Sequence, residues 1–326
     1  MDALMTLPIH KHTNLTRRIS RLAFSTPLER EGANWIIFGK KLTEAHFECI
    51  DFYTGYFNKV VDAWKVGTYE VALMSGNISS LHEEVLEELE LDFADIWDVP
   101  DLSKPGLILM DMDSTAIQIE CIDEIAKLAG VGKEVSEVTE RAMQGELNFE
   151  QSLRQRVGKL ENADASILEQ VRSVLPMTTD LPPLVATLKS LGWKVAIASG
   201  GFTYFSDYLK ERLSLDFAQS NTLDIIDGKL TGKVLGQIVG AQVKADILVK
   251  LTDEYGIEKQ NTVAVGDGAN DLVMMEAAGL GVAYHAKPKV EARAQTSVRY
   301  SHLGGVLCIL SAGLAKQGKL SWQKRV

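Results

Sequence analysis

The chain has 326 residues, 46% of them hydrophobic, and its 44 acidic and 34 basic residues give a formal net charge of −10. This length suffices for two domains with buried cores, and the acidic balance excludes a general nucleic-acid binder, which needs a basic surface. The longest apolar run, near Leu303–Ala315, is shorter than the roughly 18 residues that a membrane span requires, so no membrane partner is expected.

The three cysteines, Cys49, Cys121 and Cys308, lie far apart and show no metal-ligand spacing. None is followed six residues later by arginine, so the loop of thiolate-type phosphatases is absent. Widely spaced cysteines are typical of a reducing compartment. Because the N-terminus also lacks the apolar region of a secretory signal, we expect a cytoplasmic protein.

Residues 1–104 are predicted to form a small N-terminal α+β module with a tail and a linker. Residues 1–32 read as a solvated tail, in which His10 and His12 are too isolated for a metal site. Glu83–Asp101 holds nine carboxylates and no Lys or Arg, which indicates a solvated helix face and linker rather than a docking surface. The remaining patterns predict a strand at Asn34–Gly39, a helix at Leu42–Trp64, a strand at Tyr69–Met74 and a helix at Ser80–Leu89.

Residues 105–326 alternate strand-like and helix-like patterns after the break at Lys104-Pro105-Gly106. This alternation predicts an α/β fold with a doubly wound, mostly parallel sheet of the Rossmann type. Between its first two strands, a helical pattern at about 120–178 is too long for a simple crossover and predicts a cap over the strand ends. An Asp-Gly turn predicts a β-hairpin insertion at about 222–236. Further strands are predicted at Trp193–Ala198, Thr262–Val265 and Gly279–Ala283, and helices at Leu184–Leu191, Tyr204–Arg212, Ala245–Tyr255 and Asp271–Ala278.

The first strand of this sheet, beginning at Leu107, ends on two carboxylates, Asp111 and Asp113, followed by hydroxyl side chains. If the extended conformation persists, both side chains point the same way. If the strand breaks after Asp111, the second carboxylate can swing over the first. In either case two acids lie at the carboxyl end of a core strand, where open α/β sheets bind their ligands.

Three other segments end in polar groups suited to a phosphate and a cation. They are Ser199-Gly200-Gly201 after an apolar strand, Lys244 at the head of a helical stretch, and Gly266–Asp271 with the sequence Gly-Asp-Gly-Ala-Asn-Asp. In one parallel sheet such ends converge on one crevice.

In these four motifs and their order the chain resembles the haloacid dehalogenase superfamily of aspartate-nucleophile phosphotransferases. The segment from Met143 to Val157, together with Glu120, is similar to the cap and substrate pocket of its phosphoserine phosphatase family. The resemblance covers roughly residues 105–315. Its four motifs are specific for the superfamily, and the cap segment narrows the choice of substrate.

For the chemistry, the resemblance implies that Asp111 is a nucleophile that forms an aspartyl-phosphate. Asp113 would be the acid and base that protonates the leaving oxygen and then deprotonates the attacking water. One Mg²⁺ per site is implied, held by the Asp111 carboxylate, the Asp113 backbone carbonyl and Asp267, because Mg²⁺ prefers oxygen ligands.

The resemblance also assigns groups to the phosphoryl oxygens. Ser199 and Gly200 would bind them through a hydroxyl and a backbone N–H, and Lys244 would supply a fixed positive charge. Asn270 would contact the substrate or its phosphate, and Asp271 would orient Lys244 or a metal-bound water.

Substrate specificity is implied to come from the cap. Arg156 offers a planar fork for a substrate carboxylate, and Glu120 offers a negative charge for its ammonium group. Phe149 lies seven residues before Arg156, so the two can share one helix face that looks into the site. Met143 would add apolar contact and help to exclude water.

The resemblance therefore implies an enzyme for a small molecule, which hydrolyses O-phospho-L-serine to L-serine and phosphate as the last step of L-serine biosynthesis. One alternative is a phosphotransferase that passes the phosphoryl group to another amino-acid alcohol. A second is a non-catalytic amino-acid sensor whose working part is the N-terminal module. For that module, binding of serine and formation of a homodimer both stay open.

Overall fold

The computed structural model describes residues 5–22 and 25–323 and contains two β-sheets. The first is five-stranded and antiparallel throughout, with the order β1-β3-β4-β2-β5. Its strands are β1 Ile9–His10, β2 Trp35–Gly39, β3 Val60–Val66, β4 Tyr69–Met74 and β5 Asp92–Asp95. The accompanying helices are α1 Thr13–Arg18, α2 Pro27–Glu31, α3 Glu44–Thr54 and α4 Ser80–Glu88.

The second sheet has seven strands in the order β12-β11-β10-β6-β7-β8-β9, all parallel except β9, which confirms the predicted α/β class. Its strands are β6 Leu107–Met110, β7 Lys194–Phe202, β8 Phe217–Ile226, β9 Lys229–Leu235, β10 Thr262–Gly266, β11 Leu280–Tyr284 and β12 Thr296–Val298. The flanking helices are α9 Leu181–Ser190, α10 Thr203–Leu213, α11 Ala241–Glu254, α12 Leu272–Ala277, α13 Pro288–Glu291 and α14 Gly304–Lys316.

The predicted cap consists of four helices between β6 and β7, namely α5 Cys121–Leu128, α6 Gly132–Met143, α7 Phe149–Gly158 and α8 Ser166–Ser173. The predicted hairpin of β8 and β9 contacts this cap through its backbone. The Asn162 N–H donates to the Leu230 carbonyl at 2.8 Å, and the Leu230 N–H donates to the Ala163 carbonyl at 2.9 Å. The loop between α7 and α8 is thereby bound to the sheet.

The N-terminal sheet is buried on both faces. Trp35 and Ile37 of β2 pack in a cluster with the module's own helices, whereas Ile36 and Phe38 belong to the large core around α14. A strand buried on both faces has a continuous apolar sequence rather than an alternating one, as in Trp35–Gly39. The module therefore shares its core with the second sheet.

Two predictions for the N-terminal module are wrong. The helix predicted at Leu42–Trp64 ends at Thr54, because Gly55 adopts a left-handed φ of 73° and donates its N–H to the Asp51 carbonyl. Glycine commonly ends helices in this way, and the chain continues as β3. The tail predicted at 1–32 contains β1, α1 and α2, and the His12 side chain accepts the Asn14 N–H at the start of α1.

The acidic stretch Glu83–Asp101 is only partly the predicted solvated linker, because it contains β5. Asp92 of this strand is buried and accepts hydrogen bonds from the second domain's backbone. Its Oδ1 accepts the Arg299 N–H at 2.6 Å, and its Oδ2 accepts the Ser301 N–H at 2.7 Å. The Tyr300 N–H also donates to this carboxylate, so one side chain accepts three consecutive backbone N–H groups and joins the two parts of the molecule.

Within the described residues, every helix is too short or too polar to cross a membrane.

We predict that Asp92→Ala lowers the free energy of unfolding by about 2–3 kcal/mol, because a buried donor left without an acceptor costs about 1–3 kcal/mol. Asp95→Ala on the same strand is the matched control, since Asp95 is exposed, and it should change stability by less than about 0.5 kcal/mol. Urea unfolding of both variants measures the difference. Equal losses would contradict the anchoring role of Asp92.

Candidate active site

Three adjacent strands at the centre of the second sheet position the predicted site. β6 lies between β10 and β7, and all three run parallel. Asp111 directly follows β6, Ser199 lies near the end of β7, and Asp267 directly follows β10. Because the carboxyl ends of parallel strands lie at one edge, these side chains meet there, as the sequence predicts.

Asp111 is held rigidly at the end of β6. Its N–H donates to the Val265 carbonyl at 2.9 Å and so extends the pairing with β10. Its Oδ1 accepts the Met112 N–H at 2.7 Å and lies 2.9 Å from Lys244 Nζ. The carboxylate is nearly buried, so both contacts fix its orientation.

The chain leaves the extended conformation directly after Asp111, which is the second of the two arrangements open from the sequence. A tight turn spans Met112–Ala116, and Ser114 within it has a left-handed φ of 55°. The turn brings Asp113 against the end of β7. A Cβ at Gly201 would lie 2.7 Å from Asp113 Oδ2, so this approach requires glycine.

Thr115 contacts the site, although no motif in the sequence singles it out. Its hydroxyl donates to Asp267 Oδ1 at 3.1 Å, and its own carbonyl accepts the Thr178 hydroxyl at 2.6 Å. Thr115 therefore orients a carboxylate 152 residues away in sequence. The only sequence signal was a hydroxyl residue four positions after Asp111.

Lys244 lies in the first turn of α11 and is completely buried. Its Nζ contacts Asp111 Oδ1 at 2.9 Å and Asp271 Oδ1 at 2.7 Å. Asp271 is itself fixed, because its Oδ2 accepts the Gly268 N–H at 3.0 Å. Asp271 thus contacts Lys244, and orienting Lys244 is one of the two roles that the resemblance implied for it.

Burial lowers the pKa of Lys244, but the adjacent carboxylates of Asp111 and Asp271 outweigh this effect and raise the pKa above its ordinary value. Lys244 is therefore a permanent positive charge in the site. Buried charges of this kind are found paired, because an unpaired ammonium would lose its hydration without compensation.

The carboxylates of Asp111, Asp267 and Asp271 offer oxygens that all lie within 4.8 Å of one another. Burial and the charges of Asp111 and Asp271 raise the pKa of Asp267 to about 7, and burial and Asp111 raise the pKa of Asp271. Three carboxylates beside one ammonium carry excess negative charge, which a divalent cation would neutralise. An all-oxygen donor set suits a hard cation such as Mg²⁺.

Asp113 lies outside this cluster of three carboxylates. Burial raises its pKa well above the ordinary value, and the charges of Glu120 and Asp111 add to the effect. Its Oδ1 is buried without a hydrogen-bond partner in the described part of the chain. A carboxyl group with a raised pKa keeps its proton to higher pH than usual, which suits the role of a general acid.

Ser199 and Gly200 form the opposite wall of the site. The Gly201 N–H donates to Ser199 Oγ at 2.9 Å, which leaves the hydroxyl proton free to donate elsewhere. Gly200 lies directly against the cap, since a Cβ there would be 2.5 Å from Phe149 Cζ. Cap and strand end are therefore in contact.

A cavity of about 220 Å³ lies between the cap and the strand ends. It has room for a small molecule and brings most of the predicted site residues together. Its lining residues are Asp111, Asp113, Glu120, Ile122, Phe149, Leu153, Arg156, Ser199, Gly200, Gly201, Phe202, Asp267, Ala269 and Asn270.

Arg156 supplies the cavity's positive charge on the cap side. Its Nε is buried without a hydrogen-bond partner among the described residues, and burial lowers its pKa. Glu120 lines the same cavity and accepts the Ser114 hydroxyl at 2.7 Å. A guanidinium and a carboxylate in one cavity suit a ligand that carries both charges.

Met143 does not join the cavity. It ends α6 and is 69% exposed, so the structure does not support the predicted apolar contact with substrate. Arg154, next to Arg156 in sequence, points away and pairs with Glu150 at 2.8 Å on the solvent side.

Comparison with known proteins gives a consistent result. Residues 105–279 match the model of the haloacid dehalogenase-like hydrolases, and residues 31–95 match a domain of unknown function (DUF5609). The chain is 69% identical to the phosphoserine phosphatase of Vibrio cholerae over 325 residues, which cover 100% of this chain and 99% of that protein. It is 53% identical to the phosphoserine phosphatase of Haemophilus influenzae, with 89% and 92% of the two chains covered.

Two solved structures are also similar to this chain. A crystal structure of a probable phosphoserine phosphatase from Vibrio cholerae, in its unliganded form, superposes with a TM-score of 0.92 at 68% identity and covers 99% of this chain and 100% of that one. A phospho-aspartyl intermediate analogue of phosphoserine phosphatase superposes with a TM-score of 0.60 at 43% identity. It covers 63% of this chain and 98% of that one.

The carboxylate cluster predicts that Asp267→Asn changes the stability of the protein in opposite directions with and without a divalent cation. The folded pKa of Asp267, about 7, lies above its unfolded value, so the metal-free protein loses stability as pH rises toward and through 7. At pH 8 with chelator, we expect Asp267→Asn to be more stable than wild type by about 1–2 kcal/mol. With saturating Mg²⁺ the order should reverse, because the variant binds the ion less tightly.

Urea unfolding at pH 8 measures this, and Asp246→Asn, an exposed position on α11, is the control. A variant that is less stable than wild type in both conditions would contradict the account of excess negative charge.

Proposed function

This chain belongs to the haloacid dehalogenase-like hydrolases and, within them, to the phosphoserine phosphatases; we propose that it hydrolyses O-phospho-L-serine to L-serine and phosphate. We propose further that the reaction needs Mg²⁺, passes through a phosphorylated Asp111, and is the last step of L-serine biosynthesis in the cytoplasm. The free state of Cys49, Cys121 and Cys308 is consistent with a reducing compartment.

The observation that carries this proposal is the distribution of charge in one cavity. On the sheet side, Asp111 lines the cavity, and the buried ammonium of Lys244 lies 2.9 Å from it, outside the lining. On the cap side, Glu120 lines the same cavity, as does Arg156, whose Nε has no hydrogen-bond partner among the described residues. Phosphoserine carries a phosphate, a carboxylate and an ammonium, and each of these groups has a counterpart of suitable charge here.

In the first step, an Asp111 carboxylate oxygen attacks phosphorus, and the bond from phosphorus to the serine oxygen breaks. Asp113 transfers its proton to that oxygen, so neutral serine hydroxyl leaves. Lys244, the Ser199 hydroxyl and backbone N–H groups near Gly200 hold the phosphoryl oxygens in place. Mg²⁺, held by Asp111, Asp267 and the Asp113 carbonyl with Asp271 beside them, would offset the negative charge of phosphoryl group and nucleophile.

In the second step, water attacks the phosphorus of the aspartyl-phosphate. Asp113, now ionised, takes the water's proton, and the bond to Asp111 breaks. This releases phosphate and restores the Asp111 carboxylate and the protonated Asp113. One residue thus serves first as acid and then as base, a role typically worth about 10²–10⁴ in rate. The raised pKa of Asp113 supports the first half of this cycle.

Selection of phosphoserine is assigned to the cap. The Arg156 fork would bind the substrate carboxylate in a bidentate manner, Glu120 would bind the ammonium group, and Asn270 would contact the phosphate. Phe149 closes the cavity against Gly200, which excludes water during phosphoryl transfer.

A panel of phosphorylated amino acids and p-nitrophenyl phosphate, with and without chelator, tests the proposal. We expect the highest kcat/KM for O-phospho-L-serine, loss of turnover with chelator, and recovery with Mg²⁺. Asp111→Asn should fold as wild type and release no phosphate above background. A higher kcat/KM for another panel member would contradict the substrate, and phosphate release by Asp111→Asn would contradict the nucleophile. Transfer of the phosphoryl group to added homoserine in preference to water would favour the phosphotransferase.

Arg156→Ala separates recognition of the amino acid from the chemistry at phosphorus. We expect KM for phosphoserine to rise about 10–100-fold, since a charge-assisted bond is worth about 1.5–3 kcal/mol, while KM for p-nitrophenyl phosphate changes little. Arg154→Ala is the matched control, because Arg154 is paired with Glu150 outside the cavity. Equal effects of Arg156→Ala on both substrates would contradict a clamp for the carboxylate.

For the N-terminal module, taken as residues 1–104, we propose a role in homodimer formation. Phe52, Tyr53, Tyr56 and Phe57 lie within six residues and are 61–80% exposed. At about 150–250 Å² for each aromatic side chain, two such surfaces at this exposure would bury roughly 850–1,400 Å², which is comparable to the ~1,000 Å² expected of a specific interface. A second copy of the chain supplies a surface of the same apolar character.

The molar mass in solution, measured by light scattering, tests this role. We expect twice the 35.8 kDa of one chain for wild type and for Trp97→Ala, an exposed aromatic elsewhere in the chain. The double variant Phe52→Glu with Tyr56→Glu should be monomeric. A monomeric wild type, or a double variant that stays dimeric, would exclude this surface.

A further inference from the structure

The phosphate-binding end of β7 is irregular, and one buried side chain compensates for the irregularity. β7 pairs with β8 regularly from Ala196 to Ala198, and the register then shifts before Phe202 pairs with Asn221. Ser199-Gly200-Gly201 is therefore out of register with the neighbouring strand. Backbone polar groups that lose their ladder partners need others when they are buried.

The side chain of Asn221 provides a hydrogen-bond partner for two backbone groups. Its Nδ2 donates to the Gly200 carbonyl at 2.8 Å, and its Oδ1 accepts the Val239 N–H at 2.8 Å. The residue is 1% exposed and does not line the cavity. Both ends of its amide are thus used, in a site closed to solvent.

These two bonds reach the two elements that carry phosphate-binding groups. On one side, the peptide between Gly200 and Gly201 is held at its carbonyl by Asn221 and at its N–H by Ser199 Oγ. On the other side, Val239 directly precedes Gly240, the residue that caps α11, whose first turn carries Lys244.

We propose that Asn221 is a positioning residue that fixes the Ser199 hydroxyl relative to the Lys244 ammonium, and so shapes the site for the phosphoryl group. The amide holds the peptide whose N–H donates to Ser199 Oγ, and this leaves the hydroxyl proton to point at the ligand. The same amide holds the turn into α11. Small displacements of catalytic groups, of about 1 Å, can cost about 10²-fold in rate.

Asn221→Asp is the most informative substitution because it is nearly isosteric. A carboxylate still accepts the Val239 N–H but cannot donate to the Gly200 carbonyl, which it instead repels. Asn261→Asp is the matched control. Asn261 is also buried and bonds to backbone, accepting the Asp101 N–H at 2.6 Å and donating to the Pro105 carbonyl at 2.7 Å, but it lies outside the cavity lining.

The inference rests on the proposed phosphatase function for its assay, and two substrates keep the two claims separate. We expect Asn221→Asp to lower kcat/KM about 10–100-fold for both O-phospho-L-serine and p-nitrophenyl phosphate, because the phosphoryl group is common to both. The inhibition constant of inorganic phosphate should rise by a similar factor. Asn261→Asp should lower the unfolding midpoint and leave kcat/KM per folded molecule within about twofold of wild type.

A variant that loses only thermal stability, or that loses activity on phosphoserine alone, would overturn the positioning role. If Asn221→Asp does not fold, Asn221→Ser, which removes the reach to Gly200 but keeps a small polar group, is measured in its place with the same expectation. A wild type that cleaves p-nitrophenyl phosphate but not phosphoserine would refute the proposed substrate, and Asn221 would still be tested on the aryl phosphate.

Discussion

The site depends on the ion pair between Lys244 and the carboxylates of Asp111 and Asp271. Lys244 is completely buried, and its charge is stable there only because two acids lie within 2.9 Å of it. Those acids in turn carry more negative charge than one ammonium offsets, and Asp267 adds to the excess. Three carboxylates and one ammonium leave an excess of negative charge, which one divalent cation would offset.

The ends of three strands position the side chains of the site, and hydrogen bonds from residues outside the cavity hold them. β6, β7 and β10 bring Asp111, Ser199 and Asp267 to one edge, and residues outside the cavity then fix their orientation. Thr115 binds Asp267, and Asn221 binds the backbone beside Ser199. The cap closes over the edge, and the β8–β9 hairpin holds the cap's far loop. Hydrogen bonds from groups outside the cavity thus hold residues that line it.

The sequence was informative where the signal was local. Polar residues that follow an apolar run indicate where a strand ends. The carboxyl ends of parallel strands lie at one edge of the sheet, however long the segments between them are. Asp111, Ser199 and Asp267 could therefore be placed together. Asn221 and Thr115 were missed because their partners are distant in sequence and their residue types are common. Met143 was misplaced, since helical spacing does not determine which face of α6 turns inward.

The central claim is that Asp111 itself accepts the phosphoryl group. Phosphoserine labelled with ³²P, mixed with the Mg²⁺-loaded enzyme and quenched in acid within one turnover, tests it by peptide mapping. The account predicts labelled phosphate on the peptide that contains Asp111, at a level that rises and falls at rates consistent with turnover. Turnover with no label on that peptide, or with label on another side chain, would contradict it.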